Sequence, residues 1–584
     1  MDNEAMQKLR EALSFFMHGR PKQAAEPPRD ERYLSYLKNS APNPQQLALE
    51  REYKPEQPLK ITVVLCEQKP IKERVLATFA SIREQTYGDW QFVLALGAGD
   101  AKEYEAMFHE RVRLLIHTGA EEKQLIQDLE DQIAGDYQLL ISQGDLLGQD
   151  ALFQIASALA EREFPCVLYA DEDSLQDGVR AEPVLKPDYS PITMFSYNLI
   201  GRPLVVSRDA HIRSGGYRGL SEQGEYDYAL RAAGCAAKIV HLPRVLYTRR
   251  AKPRPLTASE GREAVENELA RAAIRGYAIK GKWEGSTRVR TAFKRAPLVS
   301  IIVPGPHEFS PLRRFLESIE DVSTHRAYEL LPVATGQEND TVARYFKALK
   351  NNKAARVAFS ERGDALPVQL NAGAKAAKGS ILLFCDQNLE VKTPDWIESM
   401  LDVALSDQVA AVGPKLLSPI GAVAHAGLVI GLGGYYASVY QNLTVEGRDD
   451  ASKLWISTLR TVSAVTGDCM MIQSQRFWEC GGFDERFERV GYDVEFCLRC
   501  GERGYSCAYT PYALLATNRE RSGPMEGASK KDKALVYDVI RTLLEEGDPY
   551  YNANLDYGSC IPMIAVRPEP ALLLNLKLRG VMRE

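Results

Sequence analysis

Short apolar runs alternate with amphipathic stretches along residues 60–173, and this alternation predicts strands separated by helices. Residues 60–65 (KITVVL) form the first strong strand pattern, a helical pattern follows at 71–85, and a second strand pattern spans 90–96. The same succession continues as far as CVLYADED at 166–173. Strands that alternate with helices are typical of an α/β fold in which helices cover a largely parallel sheet.

The alternation restarts at residue 296. APLVSIIVP at 296–304 repeats the proline-marked entry into an apolar strand that PLKITVVL shows at 58–65. SILLFCDQN at 380–388 matches YQLLISQGD at 137–145, since both are apolar runs that end in a short polar segment. The two matching segments lie about 240 residues apart, which predicts a tandem duplication of one α/β domain. Two unrelated α/β domains are the alternative.

These patterns divide the chain into three predicted parts. An N-terminal helical segment and linker takes up residues 1–58, a first α/β domain 59–295, and a second α/β domain 296–584. Within the first part, residues 3–18 predict a short amphipathic helix. We expect this helix to dock on the protein's own body rather than on a membrane or a partner helix.

Composition and charge exclude several classes of protein. Of the 584 residues, 45% are apolar and 26% are charged, which is ordinary globular composition and excludes disorder as the main state. The 72 basic and 78 acidic residues give a net charge of −6, which argues against a protein that coats nucleic acid. Without an apolar run near the roughly 20 residues that span a bilayer, and with no signal-peptide pattern, we expect a cytoplasmic protein.

Polar clusters that follow apolar segments are the candidates for chemistry. They lie at residues 142–145, 171–173, 386–388 and 493–495. Ligands of open parallel sheets bind beyond the carboxyl ends of the strands. Carboxylates there suit a divalent cation that carries a diphosphate, and a separate carboxylate can take a proton from an acceptor hydroxyl. The clusters indicate group transfer from an activated phosphate donor; for any single cluster, a helix cap or a solvated loop is the alternative.

Longer motifs in both halves occur in the order and spacing of one known family. They include IREQTYGDW (82–90), LYADEDSLQDGVRAEPVLKPDYSP (168–191), LNAGAKAAKGSILLF (370–384), TGDCMMI (466–472), GGFDERF (481–487) and DVEFCLR (493–499). Over about residues 30–560 the sequence resembles tandem family 2 glycosyltransferases of bacterial O-antigen and surface-polysaccharide biosynthesis. The resemblance implies the α/β class, with two tandem GT-A domains (Rossmann-like, of the nucleotide-diphospho-sugar transferase type) after a short helical N-terminal segment.

The resemblance also assigns roles to residues of the second domain. It places Asp493 at the position of the catalytic base, and Asp386 and Asn388 where a divalent cation, Mn²⁺ or Mg²⁺, would hold the donor. The other implied site residues are Asn371 on the donor side and Thr466, Gly467 and His425 on the acceptor side. For His425, a core histidine with satisfied hydrogen bonds is an equal alternative.

In the first domain the resemblance places Glu225 at the base position and Asp171 and Asp173 on the donor side. The sequence departs from the family there, because residues 142–145 read Ser-Gln-Gly-Asp where the family has Asp-x-Asp-Asp. The second domain departs less, with Asn388 in place of an aspartate. An Asn carbonyl can ligate a cation but supplies no charge.

A late histidine of the family is also replaced in both halves, by Thr248 and by Thr517. Three interpretations follow. The chain is an inverting glycosyltransferase that works through the second domain, where Arg519 or Arg521 takes over part of the metal's role. Alternatively, it is a catalytically degenerate relative that binds saccharide or a partner transferase, or both domains turn over.

The implied partners are a nucleotide-sugar donor and a saccharide or lipid-linked acceptor, with no nucleic acid. Because such acceptors sit on a lipid carrier, the resemblance also implies peripheral association with the inner membrane.

Overall fold

The computed structural model describes residues 29–565, apart from a set of short segments. The segments left out are 98–100, 108–109, 117–120, 161–165, 294, 306–307, 350–354, 362–363, 445–449, 520–522 and 524. The helix predicted at 3–18 and the side chain of Arg521 therefore lie outside the described residues.

The chain forms two compact units. The first, here called the N-unit, comprises Asp30–Val289, Tyr551–Leu555 and residues 564–565. The second, the C-unit, comprises Arg290–Tyr550 and Asp556–Met563.

The helices and strands of the N-unit follow the predicted alternation. The helices are α1 (Arg29–Ser40), α2 (Pro44–Glu52), α3 (Lys72–Arg83), α4 (Glu122–Glu130), α5 (Ala151–Ala160), α6 (Pro191–Met194), α7 (Arg208–Ser214), α8 (Glu222–Cys235) and α9 (Ala258–Arg271), with a 3₁₀ turn at Ala101–Met107. The strands are β1 (Ile61–Glu67), β2 (Trp90–Leu96), β3 (Val112–Ile116), β4 (Tyr137–Leu140), β5 (Leu146–Leu147), β6 (Cys166–Gln176), β7 (Val179–Val184), β8 (Leu204–Ser207), β9 (Lys238–Arg249), β10 (Gly276–Lys280) and β11 (Thr287–Thr291).

The main sheet of the N-unit has the strand order β3–β2–β1–β4–β8–β6–β9–β5, with β7 attached to β6. Strands β1 to β4 are parallel, β8 is antiparallel to both of its neighbours, and β6 and β9 are parallel. The carboxyl ends of β1 and β4 therefore meet at one edge, where ligands of such sheets bind.

Strand β1 shows why this sheet forms. Ile61, Val63 and Leu65 pack into one apolar cluster and Val64 into a second, and all four side chains are fully buried. Helices cover both faces of a parallel sheet, which is why such a strand is a continuous apolar run rather than an alternating one. Each of these side chains contributes about 1.5–3 kcal/mol by leaving water.

Two differences from the predicted bounds have a physical cause. Helix α1, predicted as part of a separate segment, belongs to the N-unit because its Tyr33 donates a hydrogen bond to Asp173. Residues 551–555, predicted in the second domain, also belong to the N-unit. Their Asn552 donates to Asp171 at 2.9 Å, and Asn554 donates to the carbonyl of Pro243 at 2.7 Å.

The C-unit repeats the same types of element. Its helices are α10 (Phe309–Val322), α11 (Asp340–Leu349), α12 (Leu366–Ala376), α13 (Trp396–Ala404), α14 (Asp450–Ser457), α15 (Ser474–Glu479), α16 (Tyr492–Glu502) and α17 (Lys530–Glu546), with a 3₁₀ turn at Leu432–Gly434. Its strands are β12 (Val299–Val303), β13 (Tyr328–Ala334), β14 (Ala358–Phe359), β15 (Ile381–Cys385), β16 (Leu389–Val391), β17 (Val409–Leu417), β18 (Val423–His425), β19 (Leu428–Ile430), β20 (Tyr436–Ser438), β21 (Arg460–Val462), β22 (Cys469–Gln473) and β23 (Ser506–Thr517).

The main sheet of the C-unit has the order β14–β13–β12–β15–β22–β17–β23–β16. Strand by strand, this is the order of the N-unit sheet. The directions match as well, because β22 is antiparallel to β15 and β17, while β17 and β23 are parallel. The predicted α/β class, with two tandem units of one strand order, is confirmed. Within the described residues, no helix is both long enough and apolar enough to cross a bilayer.

Candidate active site

The candidate site of the C-unit lies where strand β15 ends and strand β22 begins. Asp386 follows β15 directly, and its backbone amide donates to the carbonyl of Asp468 at 2.8 Å. Asp468 immediately precedes β22, the antiparallel neighbour of β15. The pairing of these two strands therefore brings two aspartates, 82 positions apart in the chain (468 − 386), to one edge of the sheet.

Asp493 joins this edge from the first turn of α16. Its Oδ2 accepts a hydrogen bond of 2.7 Å from the amide of Gly467, and its Oδ1 accepts one of 3.0 Å from the amide of Val494. Only 8% of the residue is exposed. A carboxylate near a helix N-terminus is favoured by the helix dipole, and two backbone donors fix its orientation. The sequence-predicted base is thereby linked through Gly467 to the loop that carries Asp468.

Gly467 is required by close packing. A Cβ at this position would lie 2.2 Å from the Tyr492 hydroxyl and 3.2 Å from Cβ of Asp493. Contacts below 3.0 Å between such atoms force the structure to shift. The loop can therefore approach α16 closely enough for the hydrogen bond to Asp493 only because residue 467 has no side chain.

Arg519 places a positive charge between the two aspartates. Its Nη1 lies 3.4 Å from Oδ2 of Asp386 and 3.7 Å from Oδ1 of Asp468. Strand β23 ends at Thr517, whose hydroxyl accepts from the amide of Arg519 at 3.2 Å. The side chain is 33% exposed, so the guanidinium is accessible to an anion while it is held by the carboxylates.

Asn388 belongs to the same group but points its donors at the carboxylate. Its backbone amide and its Nδ2 both donate to Oδ1 of Asp386, each at 2.7 Å. The predicted divalent cation would thus share the site with a guanidinium that is already paired with both aspartates. Among the described residues, no group of three His, Cys, Asp or Glu side chains is arranged to hold a metal ion. As arranged, these residues do not fit a tightly held divalent cation.

His425 and Thr466 hold the loop that carries Asp468 in place. The ring of His425 is buried, with Nδ1 2.8 Å from the carbonyl of Pro414 and Nε2 3.3 Å from the amide of Thr466. These partners require a proton on Nδ1 and a lone pair on Nε2, which is the neutral ring. The hydroxyl of Thr466 accepts from the amide of Asp468 at 3.2 Å. Both residues therefore position Asp468.

Asn371 has a comparable place on α12. Its Nδ2 donates to the carbonyl of Phe483 at 2.9 Å and to Glu485 at 3.0 Å, and its Oδ1 accepts from the amide of Phe483 at 3.0 Å. The residue is buried. In this arrangement the amide anchors the segment before α16 instead of facing open space.

The corresponding edge of the N-unit contains a buried arginine that the sequence analysis did not identify. Arg202 donates to Glu225 through Nε at 2.9 Å and also through Nη2. Its Nη1 donates to Asp145 at 2.9 Å, to the hydroxyl of Ser142 at 2.6 Å and to that of Tyr247 at 3.0 Å. The residue that resembles a catalytic base is therefore half of a bidentate ion pair.

Two charged groups at this edge, Arg202 and Glu172, have pKa values shifted by their partners. Burial would lower the pKa of the Arg202 guanidinium, but Glu225, Tyr247 and Asp145 outweigh it and raise that pKa well above its usual value. Burial would likewise raise the pKa of Glu172, yet Arg249 and Lys186 bring it down to about 2. The buried charged groups at this edge of the N-unit are consequently engaged in internal salt bridges.

Asp171 and Asp173 are buried inside the N-unit. Asp171 contacts His241 at 3.0 Å and the amide of Lys186 at 2.9 Å, and Asp173 contacts Arg180 at 2.6 Å. The two residues are at most 1% exposed. In this structure their carboxylates therefore face protein partners, and donor binding by them, as the resemblance implied, would require these contacts to open.

The two sheets share their pairing register at this edge. Leu146 is opposite Thr248 in the N-unit, and Leu389 is opposite Thr517 in the C-unit. An arginine follows two positions after each threonine, namely Arg250 and Arg519. The repeated motif Thr-x-Arg was visible in the sequence, whereas the contact partners of Arg202 depend on the fold.

Comparisons with known proteins give one family match, which lies within the C-unit. The profile of Glycosyl transferase family 2 matches residues 300–479. The O-antigen biosynthesis protein RfbC of Myxococcus xanthus is 29% identical over 528 residues, which are 86% of this chain and 40% of that protein. The chain thus spans two fifths of the length of this relative.

Two further proteins are more distant. An N-acetylglucosaminyl-diphospho-decaprenol L-rhamnosyltransferase of Mycobacterium tuberculosis is 25% identical over 260 residues, which are 40% of this chain and 79% of that one. The crystal structure of GalNAc-T7 with UDP, GalNAc and Mn²⁺ is 16% identical with a TM-score of 0.33, and covers 46% of this chain and 53% of that chain.

Proposed function

We propose that this chain, which carries a glycosyl transferase family 2 domain at residues 300–479, transfers a sugar from a nucleotide-sugar donor to a saccharide or lipid-linked acceptor. The relatives support this class of reaction, because one is named an O-antigen biosynthesis protein and another an L-rhamnosyltransferase of a decaprenol diphosphate. Bacterial surface-polysaccharide biosynthesis is the setting we infer.

The observation that carries the proposal is the convergence of three aspartates in the C-unit. Asp493 is hydrogen-bonded to Gly467, the next residue is Asp468, and the carbonyl of Asp468 accepts from the amide of Asp386. A general base must lie within hydrogen-bond reach of the proton that it takes. This geometry supports Asp493 as a base at the edge of the sheet where we propose that the diphosphate binds.

The proposed reaction is a single displacement with inversion at the anomeric carbon. Asp493 takes the proton of an acceptor hydroxyl while that oxygen forms a bond to C1 of the donor sugar. The bond from C1 to the diphosphate oxygen breaks, and the nucleoside diphosphate leaves with the electron pair. The step needs a carboxylate on one side of C1 and positive charge on the other.

Arg519 is the group that we propose for the positive charge. A guanidinium binds phosphate oxygens in a bidentate manner and stays protonated at all relevant pH values. Its ion-pair distances to Asp386 and Asp468 are 3.4 and 3.7 Å, longer than those of a close charge-assisted pair. These long distances support Arg519 as the group that meets the phosphate oxygens. No step of this mechanism runs through a metal ion.

The proposed acceptor also bears on where the protein works. We infer a cytoplasmic protein that meets a lipid-linked acceptor at the inner membrane, either by peripheral contact or through partner transferases. The support is the relative whose name specifies a decaprenol-linked substrate.

The proposal is tested by incubating the purified chain with a panel of nucleotide sugars and saccharide or polyprenyl-diphosphate acceptors, with EDTA or with Mn²⁺. NMR of the product then gives its anomeric configuration. An inverted product supports the proposal, and a retained configuration contradicts the single displacement. Binding of donor without any product across the acceptors would favour the catalytically degenerate alternative.

A further inference from the structure

The N-unit has a cavity of about 260 Å³ at the carboxyl ends of β1 and β4. It is lined by Glu67 at the end of β1, by Ser142, Gln143 and Asp145 after β4, by residues 249–254 from the end of β9 onward, by Glu222 from α8, and by Arg74 and Arg202. This is smaller than the roughly 300–1,000 Å³ of sites that enclose a whole drug-sized ligand. The cavity therefore suits a headgroup whose remainder stays outside.

The lining is basic beyond what its own acids neutralise. It contains six basic side chains and three acidic ones. Lys252 pairs with Glu182, and Arg254 with Glu260, both outside the lining. Within the part of the chain that the structure describes, no hydrogen bond or ion pair engages the guanidinium of Arg74 or of Arg250. These two charges remain available to a ligand.

Arg250 is held at the cavity by contacts with Asp145 and Gly144. Its amide donates to Oδ1 of Asp145 at 2.8 Å, which fixes the backbone. Its aliphatic stem lies over Gly144, where a Cβ would come within 2.6 Å of Cδ of Arg250. Gly144 also has φ +88°, a conformation that favours glycine. Arg250 occupies the register position that Arg519 occupies in the C-unit.

A third arginine, the buried Arg202, also lines this cavity. Arg202 is 5% exposed and is held by Asp145 on one side and Glu225 on the other. A divalent cation at this edge would have to displace a buried guanidinium with five hydrogen bonds to side chains. The carboxylate of Glu225 is meanwhile engaged at both oxygens in a bidentate ion pair with this guanidinium, which a role as proton acceptor would require it to leave.

We infer that the N-unit cavity binds a diphosphate-bearing ligand through Arg74 and Arg250 without a divalent cation, and that it does not transfer the ligand's sugar. Paired guanidinium groups recognise phosphate oxygens with charge-assisted, bidentate hydrogen bonds. The diphosphate belongs either to a nucleotide or to a polyprenyl carrier, and both offer the same group to the cavity. The N-unit would then bind the diphosphate ligand without reacting with it, while sugar transfer is the function proposed for the C-unit.

Calorimetric titration of the full chain with pyrophosphate, in EDTA and at low ionic strength, tests the binding. Arg74→Gln and Arg250→Met should each weaken the affinity at least tenfold; methionine keeps an apolar stem over Gly144. Arg83→Gln, at the other end of α3, is the matched control and should bind like the wild type. Binding that requires Mn²⁺, or that Arg519→Gln abolishes while Arg74→Gln and Arg250→Met do not, would overturn the inference.

Competition identifies the source of the diphosphate. UDP and farnesyl diphosphate are titrated separately against bound pyrophosphate, and the one that competes at lower concentration names the nucleotide or the polyprenyl carrier. If neither competes, the cavity is not a diphosphate site and the inference is wrong. Transfer that survives in Asp493→Asn but is lost on adding Arg74→Gln would show turnover in the N-unit. A failure of these binding tests leaves wild-type transfer, and hence the proposed function, untouched.

Discussion

Arg202 donates to both carboxylate oxygens of Glu225, and the backbone amides of Gly467 and Val494 donate to those of Asp493. The two acids have corresponding places in the two repeats by sequence resemblance, but the groups shown donating to their carboxylates differ. Glu225 is held in a bidentate ion pair by a buried guanidinium. The two backbone amides at Asp493 orient its carboxylate at the edge of the sheet. This contrast is the reason for assigning transfer to the C-unit.

The pairing of Arg202 and Glu225 predicts a strong energetic coupling. Arg202→Met leaves Glu225 and Asp145 buried without their cation, and should destabilise the N-unit by about 3–5 kcal/mol. Glu225→Leu should destabilise it less, and the double variant should recover much of the loss. Urea unfolding of the four proteins measures the coupling, and additive effects of the two substitutions would contradict it.

The side chain of Arg519 should affect the rate of turnover more than added divalent metal does. Arg519→Gln removes the charge proposed to hold the leaving diphosphate and should lower kcat by about 10²–10³. Wild-type turnover should persist in EDTA. The matched control is Arg503→Gln, an exposed arginine just beyond α16, which should leave turnover unchanged. Complete loss of wild-type activity in EDTA would instead show that a divalent cation is required.

Gly467→Ala should damage both stability and turnover, because the new Cβ collides with the Tyr492 hydroxyl. Gly501→Ala is the control on α16, since nothing lies within 4 Å of a Cβ at that position. Alanine in a helix is favoured over glycine by about 0.5–1 kcal/mol, so Gly501→Ala should be neutral or stabilising. Thermal unfolding and turnover check both variants. Equal behaviour of the two would mean that close packing at residue 467 is not needed.

His241 predicts how the stability of the N-unit depends on pH. Burial would lower the pKa of this ring, but hydrogen bonds to Asp171 and Asp188 outweigh it and raise the pKa above the ordinary 6.5. The folded state therefore binds the proton more tightly than the unfolded state. Its contribution to stability is full below pH 6.5 and is lost as the pH rises through the folded value.

Glu172 acts at the other end of the pH range. Its folded pKa of about 2 lies below the ordinary 4.5, so its contribution is present above pH 4.5 and is lost on acidification toward pH 2. Urea unfolding between pH 3 and pH 9 measures the free energy of unfolding on both the acid limb, assigned to Glu172, and the alkaline limb, assigned to His241. His241→Gln should flatten the alkaline limb while leaving the acid limb in place, and an unchanged alkaline limb would contradict the assignment.

The sequence predicted the architecture because the fold is encoded locally. Apolar runs such as Ile61–Leu65 are buried on both faces of a parallel sheet, and this makes them recognisable without knowledge of their neighbours. The repeat of the pattern at residue 296 predicted the second unit for the same reason. Both sheets then proved to have the same strand order.

The site was only partly predictable, since its contacts join distant parts of the chain. Asp386 and Asp493 were identified from motifs, and the structure brings them to one edge. Arg202 is 23 residues from Glu225 and 57 from Asp145, and no local pattern marks it as their partner. Asp171 was predicted to be a donor-side residue, but its partners in the structure include Asn552, 381 residues away.

The central claim is that Asp493 is the base of the transfer reaction. The most direct measurement is the initial rate of nucleoside diphosphate release, dependent on acceptor, for Asp493→Asn and for the exposed control Asp407→Asn. The account predicts a loss of about 10²–10⁴ in kcat for Asp493→Asn, the usual contribution of a general base. The variant should still fold, with a lower melting temperature, because asparagine can accept only one of the two backbone hydrogen bonds. It also predicts a wild-type rate for the control. A rate for Asp493→Asn within a few-fold of the wild type would contradict the account.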